Sequence, residues 1–105
     1  MGPGRARLVT LIGETGSISA AAREMGMSYR RAWQLVEALN KSFNEPVVLT
    51  ATGGKRGGGA VVTDFGKRMV EDYQGMEARA SAAIANDLRD FSAHLHKPAA
   101  KRKTR

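Results

Sequence analysis

Cysteine is absent from these 105 residues, which excludes disulfides, thiolate zinc sites and cysteine nucleophiles and fits a reducing cytoplasm. Histidine is almost absent. His94 and His96 stand two residues apart, so on a helix they point to different sides, and no acidic residues cluster with them. No metal and no cofactor is expected. No apolar run reaches membrane-spanning length and no segment is patterned like a signal peptide, so the reading is a cytoplasmic protein with no membrane partner. Acidic residues are outnumbered 10 to 17, for a net charge of +7. The surplus is unevenly placed: up to His96 there are 12 Lys and Arg against 10 Asp and Glu, and Lys97 to Arg105 adds five more cations. The bulk charge that suggests a polyanionic partner belongs mostly to that tail, so an argument for DNA binding by the rest depends on where particular cations stand. Catalysis finds no foothold. The histidines are far along the chain from any candidate serine, the carboxylates are scattered on helix surfaces, and no loop gathers acid, base and nucleophile.

What is present centres on SISAAAREMGMSYRRAWQLVEALNKSF, residues 17–43. Ser17 or Ser19 can cap a first helix, whose alanines keep it thin enough for close packing by a stripe of Ile18, Ala21, Ala22 and Met25. Gly26 suits the left-handed position that ends a helix. Ser28 then caps a second helix, in which Ala32, Leu35, Val36, Leu39 and Phe43 recur at three- and four-residue steps and face inward. Arg30, Gln34, Glu37 and Lys41 fall on the opposite side, with Tyr29 and Trp33 at the flank. The pattern is a helix-turn-helix, and its second helix presents Ser28, Tyr29, Arg30, Arg31, Trp33 and Gln34, the donors, cations and flat apolar surface that a DNA groove accepts.

Around it, Met1 to Gly4 reads as a flexible lead outside the fold, and Arg5 to Glu14 as a helix with Leu8, Leu11 and Ile12 on its core face. After the break at Asn44-Glu45-Pro46, Val47 to Thr50 and Ala60 to Thr63 read as two strands. The loop between them, residues 51–59, is too long for a two-residue hairpin. It is not a nucleotide-binding loop, because Lys55 is followed by Arg56 and a strand rather than by Ser or Thr and a helix. Two strands after a helix-turn-helix form a wing, and Lys55 and Arg56 are placed for a phosphate backbone or minor groove; the alternative is a mobile linker with solvated cations. Thr63 can cap a last helix running from Asp64 to about Leu95, roughly 45 Å at 1.5 Å per residue. Met69, Tyr73, Met76, Ala80 and Ala83 form an apolar stripe that Ile84, Leu88, Phe91 and Leu95 resume one position later, the spacing of a helix that pairs with another chain. Phe65, Met69 and Tyr73 could instead pack back onto the domain, and Gly75 could mark a bend. The organisation predicted is a DNA-binding domain at 5–63, a long dimerisation helix at 64–95, with Met69, Tyr73, Met76, Ala80, Ile84, Leu88 and Phe91 at the contact, and a basic disordered tail at 96–105.

ETGSISAAAREMGMSYRRAWQLVEALNKSF, followed by EPVV, a glycine-rich loop and TDFGKRMVEDY, resembles the N-terminal winged helix-turn-helix domain of the molybdate-responsive ModE regulators. It also resembles, more distantly, the DNA-binding domain of LysR-type regulators. The resemblance covers about residues 5 to 80, and SYRRAW and GGKRGGG carry most of it. It implies DNA binding as a dimer. ModE regulators carry C-terminal molybdate-binding domains where this chain has its basic tail, so effector sensing is expected from a separate protein or not at all.

The fold expected is mainly α with a small β-hairpin. The function expected is a homodimeric, sequence-specific regulator on a palindromic operator of double-stranded DNA, the target genes being molybdate-related if the resemblance extends that far. The alternatives are a low-specificity architectural protein that relies on wing and tail, and an interaction module in which the last helix recruits a sensor subunit.

Overall fold

A computed structural model describes residues 1–54 and 57–96, in two units, residues 1–75 and 76–105.

In the first unit, helix α1 spans Pro3–Thr15. Proline sits in its first turn, where a missing N–H costs nothing because that group has no partner inside the helix. The lead expected to be flexible is therefore part of the fold, and Met1 packs half-buried against the core. Helix α2, Ile18–Met25, is capped by Ser17, whose Oγ accepts from the Ala20 N–H at 3.0 Å, which settles the choice between the two serines. It ends at Gly26 with φ of 69°, a left-handed backbone that a side chain would strain. Helix α3, Tyr29–Ser42, starts one residue after Ser28, whose Oγ accepts from the Arg31 N–H at 3.1 Å. The buried faces are those the spacing predicts: Leu8, Leu11 and Ile12 of α1, joined by Ala6 and Val9; Ile18, Ala21 and Ala22 of α2; Ala32, Val36 and Leu39 of α3. Met25, Leu35 and Phe43 lie half-buried at the edge of this core.

Strands β1, Val48–Gly54, and β2, Gly57–Val62, form an antiparallel pair in which Val48 faces Val62, Leu49 faces Val61, Thr50 faces Ala60 and Ala51 faces Gly59. After a register irregularity Gly54 faces Gly57. The loop expected over 51–59 is thus replaced by ladder on both sides. A ladder needs only backbone donors and acceptors, so glycines of low strand propensity can still carry it. Lys55 and Arg56 lie outside the described residues, as do residues 97–105 of the basic tail. The hairpin is fastened at three points. The Ala60 N–H donates to the Gly16 carbonyl at 2.9 Å. Asn40 Oδ1 accepts from the Val47 and Val48 N–H groups at 2.7 and 3.1 Å, while its Nδ2 donates to the Val48 carbonyl at 2.9 Å. Thr63 Oγ1 donates to the Pro46 carbonyl at 2.8 Å.

Helix α4, Asp64–Ala83, begins with Thr63 Oγ1 accepting from the Gly66 N–H at 2.8 Å, so Thr63 caps it. Gly66 permits the close approach: a Cβ there would lie 2.3 Å from the Val47 carbonyl oxygen. Phe65 meets Phe43 edge to face with ring centroids 5.8 Å apart, and Val70 and Tyr73 continue the packing against the core.

The second unit contains the remainder of α4 and helix α5, Ala85–Ala93. The single helix expected over 64–95 is therefore divided at Ile84, whose φ of −106° and ψ of 9° leave the helical region. Gly75 lies inside α4 without interrupting it. The division falls where the apolar stripe slips by one position. None of the described residues from Met76 onward is buried. Among the described residues no helix is long and apolar enough to cross a membrane.

Candidate nucleic-acid interface

The first two turns of α3 carry Tyr29, Arg30, Arg31, Trp33 and Gln34, and all five are exposed, as is the cap residue Ser28. They are held outward by their neighbours: burial of Ala32, Val36 and Leu39 fixes the rotation of the helix, because residues three and four apart share a face. The exposed side then divides into three stripes. Tyr29 and Trp33 line an open cleft of about 250 Å³ whose other walls are Ser17 and Ser19 at the start of α2 and Thr50, Ala51, Gly59 and Ala60 of the hairpin. Arg31 and Leu35 line a shallow depression of about 460 Å³ on the other flank, together with Arg5, Met25 and Met27. Arg30 and Gln34 lie between the two flanks, one turn apart, and line neither hollow.

Trp33 forms a wall between the helix and the wing and remains 40% exposed; Tyr29, one turn earlier, is 54% exposed. Lys55 and Arg56 lie outside the described residues, so the hairpin is placed and its two cations are not. Of the residues expected at a dimer contact, Met69 and Tyr73 are half-buried, and Tyr73 packs on this chain's own core. Met76, Ala80, Ile84, Leu88 and Phe91 are exposed. Among the described residues no group of three or more His, Cys, Asp or Glu side chains could hold a metal ion.

Two contributions escaped the sequence. Asn40 reads as one more polar residue on α3, yet its amide fixes the start of β1 through three hydrogen bonds. The available signal was an asparagine, a modest helix former, late in a helix and just before the strand residues whose amides need acceptors. Arg5 reads as solvated, and the fold brings it beside Arg31.

With this geometry in hand, comparison with known proteins is informative. Residues 5–67 match the family described as bacterial regulatory helix-turn-helix protein, lysR family. The molybdenum-pterin-binding protein MopB of Rhodobacter capsulatus is 48% identical over 96 residues, which is 91% of this chain and 34% of MopB. The DNA-binding transcriptional dual regulator ModE of Escherichia coli is 42% identical over 71 residues, 68% of this chain and 27% of that protein. The chain thus spans about a third of the length of the curated relatives it matches. A crystal structure of a CbnR_DBD–DNA complex superposes with a TM-score of 0.62 at 19% identity, covering 90% of this chain and all of that one, a likeness of fold. The winged helix-turn-helix expected from the sequence is the fold observed, and the resemblance to ModE and LysR-type regulators holds. The chain belongs to the lysR family of bacterial regulatory helix-turn-helix proteins, which are DNA-binding transcriptional regulators and not enzymes.

Proposed function

We propose that the chain acts in the cytoplasm as a homodimer that binds a palindromic operator in a sequence-specific manner. The first two turns of α3 from each protomer enter the major groove of one half-site. The observation that carries this is the capped, outward-facing start of α3, where Arg30 and Gln34 project between two flanks while Ala32, Val36 and Leu39 are locked in the core. Arg30 pairs with guanine through two hydrogen bonds and Gln34 with adenine. Arg31, Lys55 and Arg56 hold phosphates, Tyr29 touches a phosphate or a thymine methyl, and Trp33 flanks the backbone from the wing cleft. Met76, Ile84, Leu88 and Phe91 supply an exposed apolar surface that a second copy would cover. Half-sites are then one helical turn apart, about 34 Å. The relatives named for molybdenum and for transcriptional regulation support target genes in molybdenum handling.

The test begins with duplexes selected from a random library. The selected site should bind at least about a thousandfold more tightly than a scrambled one. A ratio near unity, with steep salt dependence, would favour the low-specificity architectural alternative. Arg30→Ala should lose about 1 to 3 kcal/mol on the selected site and relax one base position. Equal loss on both duplexes would reassign Arg30 to the backbone. Repeating the titration with and without molybdate tests the effector, and sedimentation of the chain alone tests the dimer: a monomer would favour the sensor-recruiting alternative.

A further inference from the structure

We propose that Arg5 is a second-strand backbone contact: with Arg31 it forms a cationic seat for a DNA phosphodiester on the flank of α3 that faces away from the wing. The proposal rests on the reading of α3 as the recognition helix and extends it to α1.

Arg5 in the first turn of α1 and Arg31 in the first turn of α3 come from elements far apart in sequence, yet they line one open depression. Its remaining lining is Met1, Met25, Met27, Leu35 and two glycines, and it includes no acidic side chain. Both arginines are exposed. The four apolar side chains are half-buried against the core, so they give the arginine stems a fixed apolar floor to lie on while the guanidinium groups stay in solvent. Two like charges over one floor repel each other, and the lining of the depression holds no carboxylate to offset that repulsion. An anion between them would. Arginine presents a planar fork of donors suited to phosphate oxygens.

The position fits a duplex. A major groove about 12 Å wide has a phosphate strand along each edge. With Arg30 and Gln34 pointing to the groove floor, one edge runs along the cleft of Tyr29 and Trp33, and the other runs along Arg31 and Arg5.

The experiment measures binding of a library-selected duplex and a scrambled duplex by fluorescence anisotropy across a salt series, for the full chain and for Arg5→Ala, Arg5→Lys and Arg30→Ala. Arg5→Ala should weaken both duplexes by the same factor, roughly three- to tenfold, and lower the salt slope by about one per protomer. Arg5→Lys should restore most of the slope. Unchanged binding by Arg5→Ala beside a loss for Arg30→Ala would overturn the proposal and leave the recognition helix standing. If neither variant loses affinity, the recognition helix falls with it. Calorimetric titration of the DNA-free chain with inorganic phosphate, and separately with molybdate, separates the sources of the oxyanion. No saturable heat is expected, whereas saturable binding lost in Arg5→Ala, with DNA affinity intact, would overturn the backbone assignment in favour of a free oxyanion.

Discussion

Residues 1–75 and residues 76–96 are both rich in apolar side chains and use most of them in opposite ways. The first unit sends most of its large aliphatics inward, so that Leu8, Ile12, Leu39, Val9, Val47 and Val48 are almost wholly removed from water, while Leu49 and Val61 stay exposed on the hairpin. The second leaves Met76, Ile84, Leu88, Phe91 and Leu95 about half exposed, Phe91 at 63%. Helix α4 belongs to both: Gly66 and Val70 are buried in its first part, and no residue is buried after Gly75. The contrast separates two tasks. Hydrophobic burial of this kind is what stabilises a fold, so the first unit holds the α3 surface in place by itself. On the proposed reading, the exposed apolar residues of the second are what a second copy would cover.

That contrast can be broken most directly in the core. Ile12→Ala removes a fully buried side chain and should cost about 2 to 5 kcal/mol, read as a shift of the urea unfolding midpoint. A smaller loss is expected from Asn40→Ala, which leaves the Val47 and Val48 amides without their acceptor. The cost should be about 1 to 3 kcal/mol, with hydrogen exchange at those two amides accelerated more than at Leu39. Exchange rising equally across α3 would mean that Asn40 supports the whole core and not the hairpin. The smallest effect on stability belongs to the second unit. Leu88→Asp combined with Phe91→Asp should change the unfolding free energy of the monomer by less than about 0.5 kcal/mol, while sedimentation equilibrium shows the dimer lost. A drop in midpoint comparable to Ile12→Ala would erase the distinction between the two units.

The parts of this fold that were legible in the sequence are those in which side chains carry the signal. The spacing of Ala32, Val36 and Leu39 orients α3, and Ser28 and Gly26 mark its start and the end of α2 because capping depends on a hydroxyl or on a missing Cβ. The ladder from Ala51 to Gly54 and from Gly57 to Gly59 was not legible. Glycine reports nothing about pairing, since the bonds that make it are backbone bonds. The start of α1 at Pro3 was passed over although proline in a first turn is a helix signal, because the flanking glycines suggested a loose lead. The break at Ile84 was visible as a slip in the stripe, which a supercoiled continuous helix would equally produce. At the candidate interface, the residue types on α3 were readable and the neighbourhood was not: that Trp33 shares a cleft with the hairpin and Arg31 a depression with Arg5 follows from how three helices pack.

The Asn40 clasp has a consequence for how such a surface can change. It grips the hairpin from the later turns of α3, well away from Tyr29 to Gln34, so the handle that aligns wing and helix is separate from the tip proposed to read DNA. Exchanging the tip leaves the handle untouched. If that tip reads DNA as proposed, new operator preferences can be acquired by swapping a few side chains at one end of a single helix, without rebuilding the scaffold that aims them.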